Sequence, residues 1–320
     1  MARRAFLRSL GDVDIRLIRI FIAVTECGGF AASEAELNIG RSTISKHIAD
    51  LELRIGLKLC NRGPSGFSLT SEGEEVLEAA RHLLASLDGF QSKIDTIHKT
   101  LTGTLRLGIF DQSTTNPAAH IHKAIRAYDQ AAPNVALDIA LDPPNVLEAG
   151  VTAGTLDLAI VPIHRQSSTL NYVALYAERM TLYCGEGHAL FEAPDGGSLQ
   201  ISDLMHHKYA GYGFNSPNLN AGQKLGFVRA AKVQEEEALS LLIQSGCYLG
   251  YLADHVAETF LAKGKVRPIA PQETSYRSVF AAITRKKPEA DRKTLEFLNC
   301  LMRAHPDAGK TMGTSSTMAT

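Results

Sequence analysis

The sequence predicts an α+β chain of several domains: a small helical head with a hairpin, one long helix, and a two-lobed α/β body. Three observations predict it. Two short helical patterns joined by a tight turn lie between residues 15 and 53. A single a/d stripe of apolar residues runs from Val76 to Leu101. Beyond residue 103, short apolar strand-like runs alternate with helical ones. The 320 residues leave room for two or three domains.

In the head, Leu17, Ile18, Phe21, Ile22 and Val24 form the apolar stripe of a first helix over 15–26, closed by Gly28-Gly29. Residues 30–37 read as a short, Ala-rich second helix, and 38–40 as a three-residue turn. A third helix covers 41–53, with Ile44, Ile48 and Leu51 inward. Its other face carries Arg41, Ser42, Thr43, Ser45, Lys46 and His47. A tight pair of helices whose second member starts polar and donor-rich is a helix-turn-helix pattern. The start of such a helix enters the major groove of DNA, where short donors and long cations can reach base edges. Residues 56–69 place Gly63-Pro64-Ser65-Gly66 between two apolar runs, a hairpin wing with Arg62 positioned to meet a phosphate.

Thr70 or Ser71 can cap the next helix, and Ser71 with Glu74 has capping-box spacing. Val76, Ala80, Leu83, Leu87, Phe90, Ile94 and Ile97 then repeat in steps of three and four. A sustained 3.5 period suits a partner helix better than a broad core face, so a coiled-coil dimerisation helix is expected. The alternative is a long helix packed on its own domain.

The body alternates strand (105–110), helix (117–131), strand (135–141), helix (146–153) and strand (156–161). A second series has strands at 180–184 and 209–212, a helix at 235–245 and a strand at 248–252. A late strand at 279–283 precedes a helix from 288 to about 304. This predicts parallel sheets covered by helices, in two similar lobes. Residues 306–320 lack a pattern and are expected to be disordered. The expected domains are 1–70, 71–102 and 103–305, followed by the tail.

Composition narrows the function. Residues 1–70 carry ten Lys and Arg against seven Asp and Glu; residues 71–320 carry 23 against 27. A mildly basic head on a slightly acidic body allows nucleic acid at the head only. No apolar run approaches the ~18 residues of a membrane span. The basic start Met1 to Arg8 lacks an apolar core and a small-residue cleavage site, so a cytoplasmic location is expected. Five cysteines without CxxC spacing argue against a disulfide framework or a zinc ribbon. No GxSxG, GxxxxGK[ST], HExxH or strand-following GxGxxG occurs, so no enzyme, cofactor or metal is expected. His206-His207 lacks a third ligand at a recognisable spacing.

These residues resemble the LysR-type transcriptional regulators. The likeness is sharpest in Ser42-Thr43-Ile44-Ser45-Lys46-His47-Ile48-Ala49-Asp50-Leu51-Glu52. It continues in Leu57-Lys58-Leu59-Cys60-Asn61-Arg62, Leu69-Thr70-Ser71-Glu72-Gly73 and Gly154-Thr155-Leu156-Asp157-Leu158-Ala159-Ile160. It spans residues 13–305 or so. Ser33-Glu34 stands where the family usually has two alanines, and Arg41 where Gln is common. The resemblance implies a winged helix-turn-helix on promoter DNA, a homodimer or homotetramer, and a bilobed body, like periplasmic binding proteins, that holds a small-molecule effector.

Within that body, Asn116 as N-cap with Pro117 at the first helical position marks a loop at the carboxyl end of a strand, where open α/β lobes bind ligands. Gln112, Ser113, Thr114, Thr115 and Asn116 are therefore the first effector-binding candidates. Asn145, Pro162, Tyr212 and Tyr248 follow. The hydroxyls and the absence of Lys or Arg in the loop suggest a small organic acid or another polar metabolite. Two alternatives compete: a thiol-based redox sensor using Cys184 or Cys247, and a cytoplasmic solute-binding protein. The missing signal and the helix-turn-helix count against the latter.

Overall fold

The structure, a computed structural model, describes residues 10–63, 66–97, 101–110, 113–192 and 201–309. It divides into two compact units, Met1–Gly89 and Phe90–Thr320.

The first unit holds α1 (Asp12–Glu26), α2 (Ser33–Leu37), α3 (Arg41–Ile55), the hairpin β1 (Cys60–Gly63) and β2 (Gly66–Leu69), and the start of α4 (Ser71–Ile97). Leu17, Phe21 and Val24 of α1 pack on Ile44, Ile48 and Leu51 of α3, with Leu59 and Leu77 closing the core. The second helix is shorter than the expected 30–37, because residues 30–32 form turns; it ends as expected at Leu37, where Asn38 turns left-handed (φ 50°). The wing pairs antiparallel, with Arg62 opposite Phe67. Thr70 caps α4: its Oγ1 accepts from the Gly73 amide (2.9 Å) and donates to the Lys58 carbonyl (2.6 Å). The Ser71–Glu74 box does not form, since the Ser71 hydroxyl turns to Glu72. Gly73 is required here: a Cβ would lie 1.9 Å from the Leu59 carbonyl oxygen.

The heptad of α4 divides. Ala80 is 4% exposed inside the core of the head, with Val76 and Leu83 packed beside it. Leu87 and Phe90 are 38% and 64% exposed. The side chains of Ile94 and Ile97 lie outside the described residues. The first part of the stripe therefore packs on its own domain, against the expectation of a seam along its whole length.

The second unit begins with β3 (Gly103–Ile109), α5 (Ile121–Ala131), β4 (Val135–Leu141), α6 (Pro144–Ala153) and β5 (Leu158–Pro162). Then β6 runs for sixteen residues, Leu170–Gly185. After it come α7 (Ile201–Leu204), β7 (Tyr209–Tyr212), α8 (Pro217–Lys224), β8 (Arg229–Val233), α9 (Glu236–Gln244), β9 (Gly250–Ala253), α10 (Asp254–Leu261), β10 (Val266–Pro268), α11 (Pro271–Thr274), β11 (Tyr276–Arg285) and α12 (Arg292–Ala304).

The main sheet has the order β10-β6-β11-β5-β3-β4, with β9 also on β6. Only the β3–β4 and β3–β5 pairs are parallel; β11 and β6 are antiparallel to their neighbours in it. The expected all-parallel sheet is therefore mixed. The reason is that β6 and β11 are not lobe-internal strands. The first half of β6 pairs with β11 in the first lobe, and its second half with β9 and β10 in the second. The β7–β8 pair is parallel, bridged to Leu249 just before β9. One core, around Leu105, Leu107, Ile160 and Phe297, continues into the second lobe through Tyr212, Val233, Leu239 and Leu252; another lies within that lobe around Leu182, Tyr209, Tyr251 and Leu249.

Several boundaries shift for local reasons. The helix expected from 117 begins at Ile121, because Asn116 Oδ1 takes the Ala118 amide (2.9 Å) into a tight turn instead of capping a helix. The last helix begins at Arg292 behind Asp291, whose carboxylate accepts from the Thr294 amide at 2.9 Å. The start of the expected tail is held: the Gly309 amide donates to the Ala174 carbonyl (2.9 Å), and Ala308 packs on the core. Residues from 310 onward lie outside the described residues.

Candidate functional site

In the first unit, α3 buries Ile44, Ile48 and Leu51 completely and leaves Arg41, Ser42, Thr43 and Lys46 exposed. Ser45 and His47 are half-buried along the edges of that face. His47 Nε2 lies 3.5 Å from the guanidinium of Arg16 on α1. The side chain of Arg62 lies outside the described residues. Ser33 and Glu34 explain themselves here. Ser33 takes the buried position, its hydroxyl donating to the Gly29 and Phe30 carbonyls at 3.0 and 3.2 Å. Glu34 faces solvent and its carboxylate accepts from the Arg41 amide at 2.5 Å, capping α3 where Gly40 has no side chain to do so. A second tie runs from buried Asp14, which accepts from the Gly11 amide and from Arg54 at 2.9 Å, joining the start of α1 to the end of α3. The exposed face of α3 is thus tied to α1 and α2 by side-chain contacts.

In the second unit a small pocket, open to solvent, lies between the lobes. It is lined by Phe110 after β3, Pro162 at the end of β5, Glu178 and Met180 on β6, Tyr212 at the end of β7, and Tyr276 and Ser278 on β11. The start of α8 adds Ser216, Pro217 and Asn218, and the start of α9 adds Glu236. The carboxyl ends of β3, β5 and β7 and two helix starts converge on it, the usual ligand position in open α/β folds. Rings wall one side: Phe110 meets Tyr212 and Phe214 edge-on at 6.2 and 6.1 Å. Burial raises the Tyr276 hydroxyl well above the usual phenol range, so it stays protonated and donates to Asn218 Oδ1.

Of the sequence-predicted effector residues, Pro162 and Tyr212 line this pocket. Ser113, Thr115 and Asn116 stand behind it in a hydrogen-bond network. The Ser113 hydroxyl contacts the Phe110 carbonyl (3.1 Å) and Tyr176 (3.4 Å), and Thr115 reaches His255 Nδ1 at 2.9 Å. Asn116 Nδ2 donates to Glu178 Oε2 (3.3 Å), which also meets His255 Nε2 (3.2 Å). Thr114 and Asn145 are exposed away from the pocket lining. Tyr248 packs half-buried on the core, with Lys208 over its ring at 6.0 Å. Gln112 lies outside the described residues. Sequence reasoning missed the other nine lining residues, among them Phe110, Glu178, Asn218, Glu236, Tyr276 and Ser278. One signal was available: Ser216-Pro217 is the same cap-plus-proline pattern read at Asn116-Pro117. It is realised here, with Ser216 Oγ accepting from the Leu219 amide at 3.2 Å.

The thiols offer little chemistry. Cys184 is fully buried, and burial pushes its thiol up to about 11. Cys300 has Arg303 at 3.0 Å, yet burial still raises it. Cys247 is exposed, its thiol donating to the Ser245 carbonyl. Among the described residues no three His, Cys, Asp or Glu side chains gather to hold a metal, and no helix is long and apolar enough to cross a membrane.

Residues 15–74 match the family described as bacterial regulatory helix-turn-helix protein, lysR family, and residues 98–306 match LysR substrate binding domain. The HTH-type transcriptional activator BauR of Pseudomonas aeruginosa is 37% identical over 285 residues, covering 89% of this chain and 93% of that one. A probable hydrogen peroxide-inducible genes activator of Mycobacterium xenopi is 30% identical over 173 residues, 54% of this chain and 90% of that one. Among solved structures, CbnR, a LysR family transcriptional regulator, superposes with a TM-score of 0.61 at 17% identity, over 91% of this chain and 99% of that chain. A full-length OxyR variant from Pseudomonas aeruginosa gives 0.61 at 15% identity, over 98% and 100%. At such identities the two structures speak for the fold alone. One family match lies in each of the two units, and on that basis the chain belongs to the LysR family of transcriptional regulators.

Proposed function

We propose that α3 reads promoter DNA through Arg41, Ser42, Thr43, Ser45 and Lys46, that the exposed part of α4 pairs two subunits, and that a small polar metabolite bound between the lobes controls the outcome. One observation carries the reading. A helix with one wholly buried face and one exposed polar face stands in a helix-turn-helix, on the same chain as a two-lobed body with a lined cleft. The cleft binds and releases; it does no bond chemistry. DNA places the protein in the cytoplasm. Arg62 belongs to wing strand β1 and is the proposed phosphate contact; phosphate contacts supply affinity and base contacts supply specificity.

Selection of bound fragments from a random-sequence DNA pool by the full chain tests this. Enrichment of a dyad-symmetric site, with half-sites separated by whole helical turns, is expected. A pool that stays random after repeated selection would refute the DNA reading. A thiol reading has less support, since the two cysteines it named are one buried and one without a cationic neighbour among the hydrogen bonds described.

A further inference from the structure

The charge of the cleft points to its ligand. Its lining includes two carboxylates, Glu178 and Glu236, and no Lys, Arg or His. Glu236 is 5% exposed at the start of α9, where Oε1 accepts from the Ala253 amide at 3.3 Å. On Glu178, both Asn116 and His255 hold Oε2, and Oε1 has no partner among the described residues. The nearby guanidinium of Arg229 is turned to the Tyr212 carbonyl. Two further polar groups of the lining keep hydrogen-bonding atoms unused. Ser278, 4% exposed on β11, lines the pocket with no side-chain hydrogen bond among the described residues. Asn218, 3% exposed, accepts from Tyr276 through Oδ1 and leaves its amide nitrogen without a partner among them. The rings of Phe110, Tyr212 and Tyr276 share the rest of the lining with Pro162, Met180, Ser216 and Pro217.

Acidic oxygens, a waiting hydroxyl and aromatic rings around a small space form a receptor for an organic cation. A carboxylate guest would face two like charges with no cation to receive it. A divalent metal ion wants six or more oxygen ligands, more than this partly aromatic lining offers. Resting on the reading of this cleft as the effector site, we propose that it selects a small organic ammonium compound, held by Glu178 and Glu236 against Phe110, Tyr212 and Tyr276. The narrow space restricts the guest to a few heavy atoms around the charged nitrogen. This narrows the polar metabolite suggested by the loop sequence to one that carries a positive nitrogen, with or without other groups.

The test is thermal unfolding and calorimetry of the full chain at matched ionic strength, with propylammonium chloride, sodium propionate, propan-1-ol and magnesium chloride as probes. Saturable stabilisation by propylammonium, and none by the other three, is expected. Glu178→Gln and Glu236→Gln, which keep side-chain shape, should each weaken propylammonium at least tenfold. Their ligand-free circular dichroism spectra should match that of the parent. If propionate binds instead, and either Gln variant tightens it, the cleft is the effector site but the ammonium assignment falls. Preference for magnesium, or no binding of any probe, also overturns it. If propylammonium binds with an affinity that neither Gln variant nor a space-filling Ser278→Phe alters, the cleft itself has been misread.

Discussion

Replacing Leu87 and Phe90 together by Asp should split the dimer without unfolding the subunit. The two side chains are 38% and 64% exposed, so neither contributes much to the core of its own chain. Complete burial of a large apolar side chain is worth ~1.5–3 kcal/mol. Scaled by the exposed fractions, the pair offers about 2 kcal/mol per subunit to a partner helix. Two symmetry-related copies offer about 4–5 kcal/mol, or roughly 10³-fold in the dimer constant. Two aspartates in the seam add a desolvation cost on top of that loss. Ala80→Asp is the contrasting variant. Ala80 belongs to the same heptad but is 4% exposed within the head, so a charge there should melt the winged domain. Sedimentation velocity over a range of protein concentrations, with circular dichroism melts alongside, separates the two outcomes. A Leu87→Asp, Phe90→Asp protein that stays dimeric at submicromolar concentration, with an unchanged melt, would show that α4 is not the seam.

Three other outcomes are expected. Arg41→Ala should cost ~1–3 kcal/mol and change base preference, whereas Lys46→Ala should weaken all sequences alike and lower the salt slope by about one; footprinting with a salt titration distinguishes them. Glu34→Ala removes the acceptor that caps α3, so the head should lose ~0.5–2 kcal/mol in urea unfolding, with the body's transition unmoved. At pH 8 a thiol raised to about 11 is thiolate in only ~0.1% of molecules, so iodoacetamide should label Cys247 and spare Cys184 until the body unfolds; prompt labelling of native Cys184 would revive the redox alternative.

The head was legible in the sequence because its information is local. One 3.6-residue stripe on α1, a left-handed turn at Asn38 and a second stripe on α3 lie within 45 residues. The body was legible as α/β but not as a mixed sheet. The first half of β6 mixes buried and half-buried positions irregularly, and only its apolar end at Met180 to Cys184 reads as a strand. Its partner β11 is some hundred residues away, with Tyr276 opposite Met180 and Ser278 opposite Glu178. The pocket residues on these strands become neighbours only through that pairing, which no local pattern announces. Asn116-Pro117 misled for a related reason. A cap signal specifies a helix only if the chain beyond it can continue, and the turns from Pro117 to His120 delay α5. The loop kept a role nonetheless, since Asn116 and Thr115 orient the Glu178–His255 pair from behind.

The same two strands connect ligand to output. A small molecule shifts a two-state domain only by the difference in its affinity for the two states. A guest touching one lobe alone would bind both arrangements equally and move nothing. Here the pocket draws Phe110 and Pro162 from one lobe and Tyr212, Asn218 and Glu236 from the other, so its completeness depends on how the lobes meet. Glu178 and Ser278, a cross-strand pair on β6 and β11, sit on the segments that join them, and the pairing slips register close by, between Phe280 and Ala281. A register slip locally interrupts the ladder and bends the strand, a place where two long strands can flex without losing the rest of their hydrogen bonds. A cation that Glu178 and Glu236 hold against Phe110 of the first lobe favours the arrangement in which both lobes reach it. The bias then scales with the attraction between the guest and the two carboxylates, and a neutral isostere of the same size, such as propan-1-ol, should neither fill the cleft nor shift the lobes.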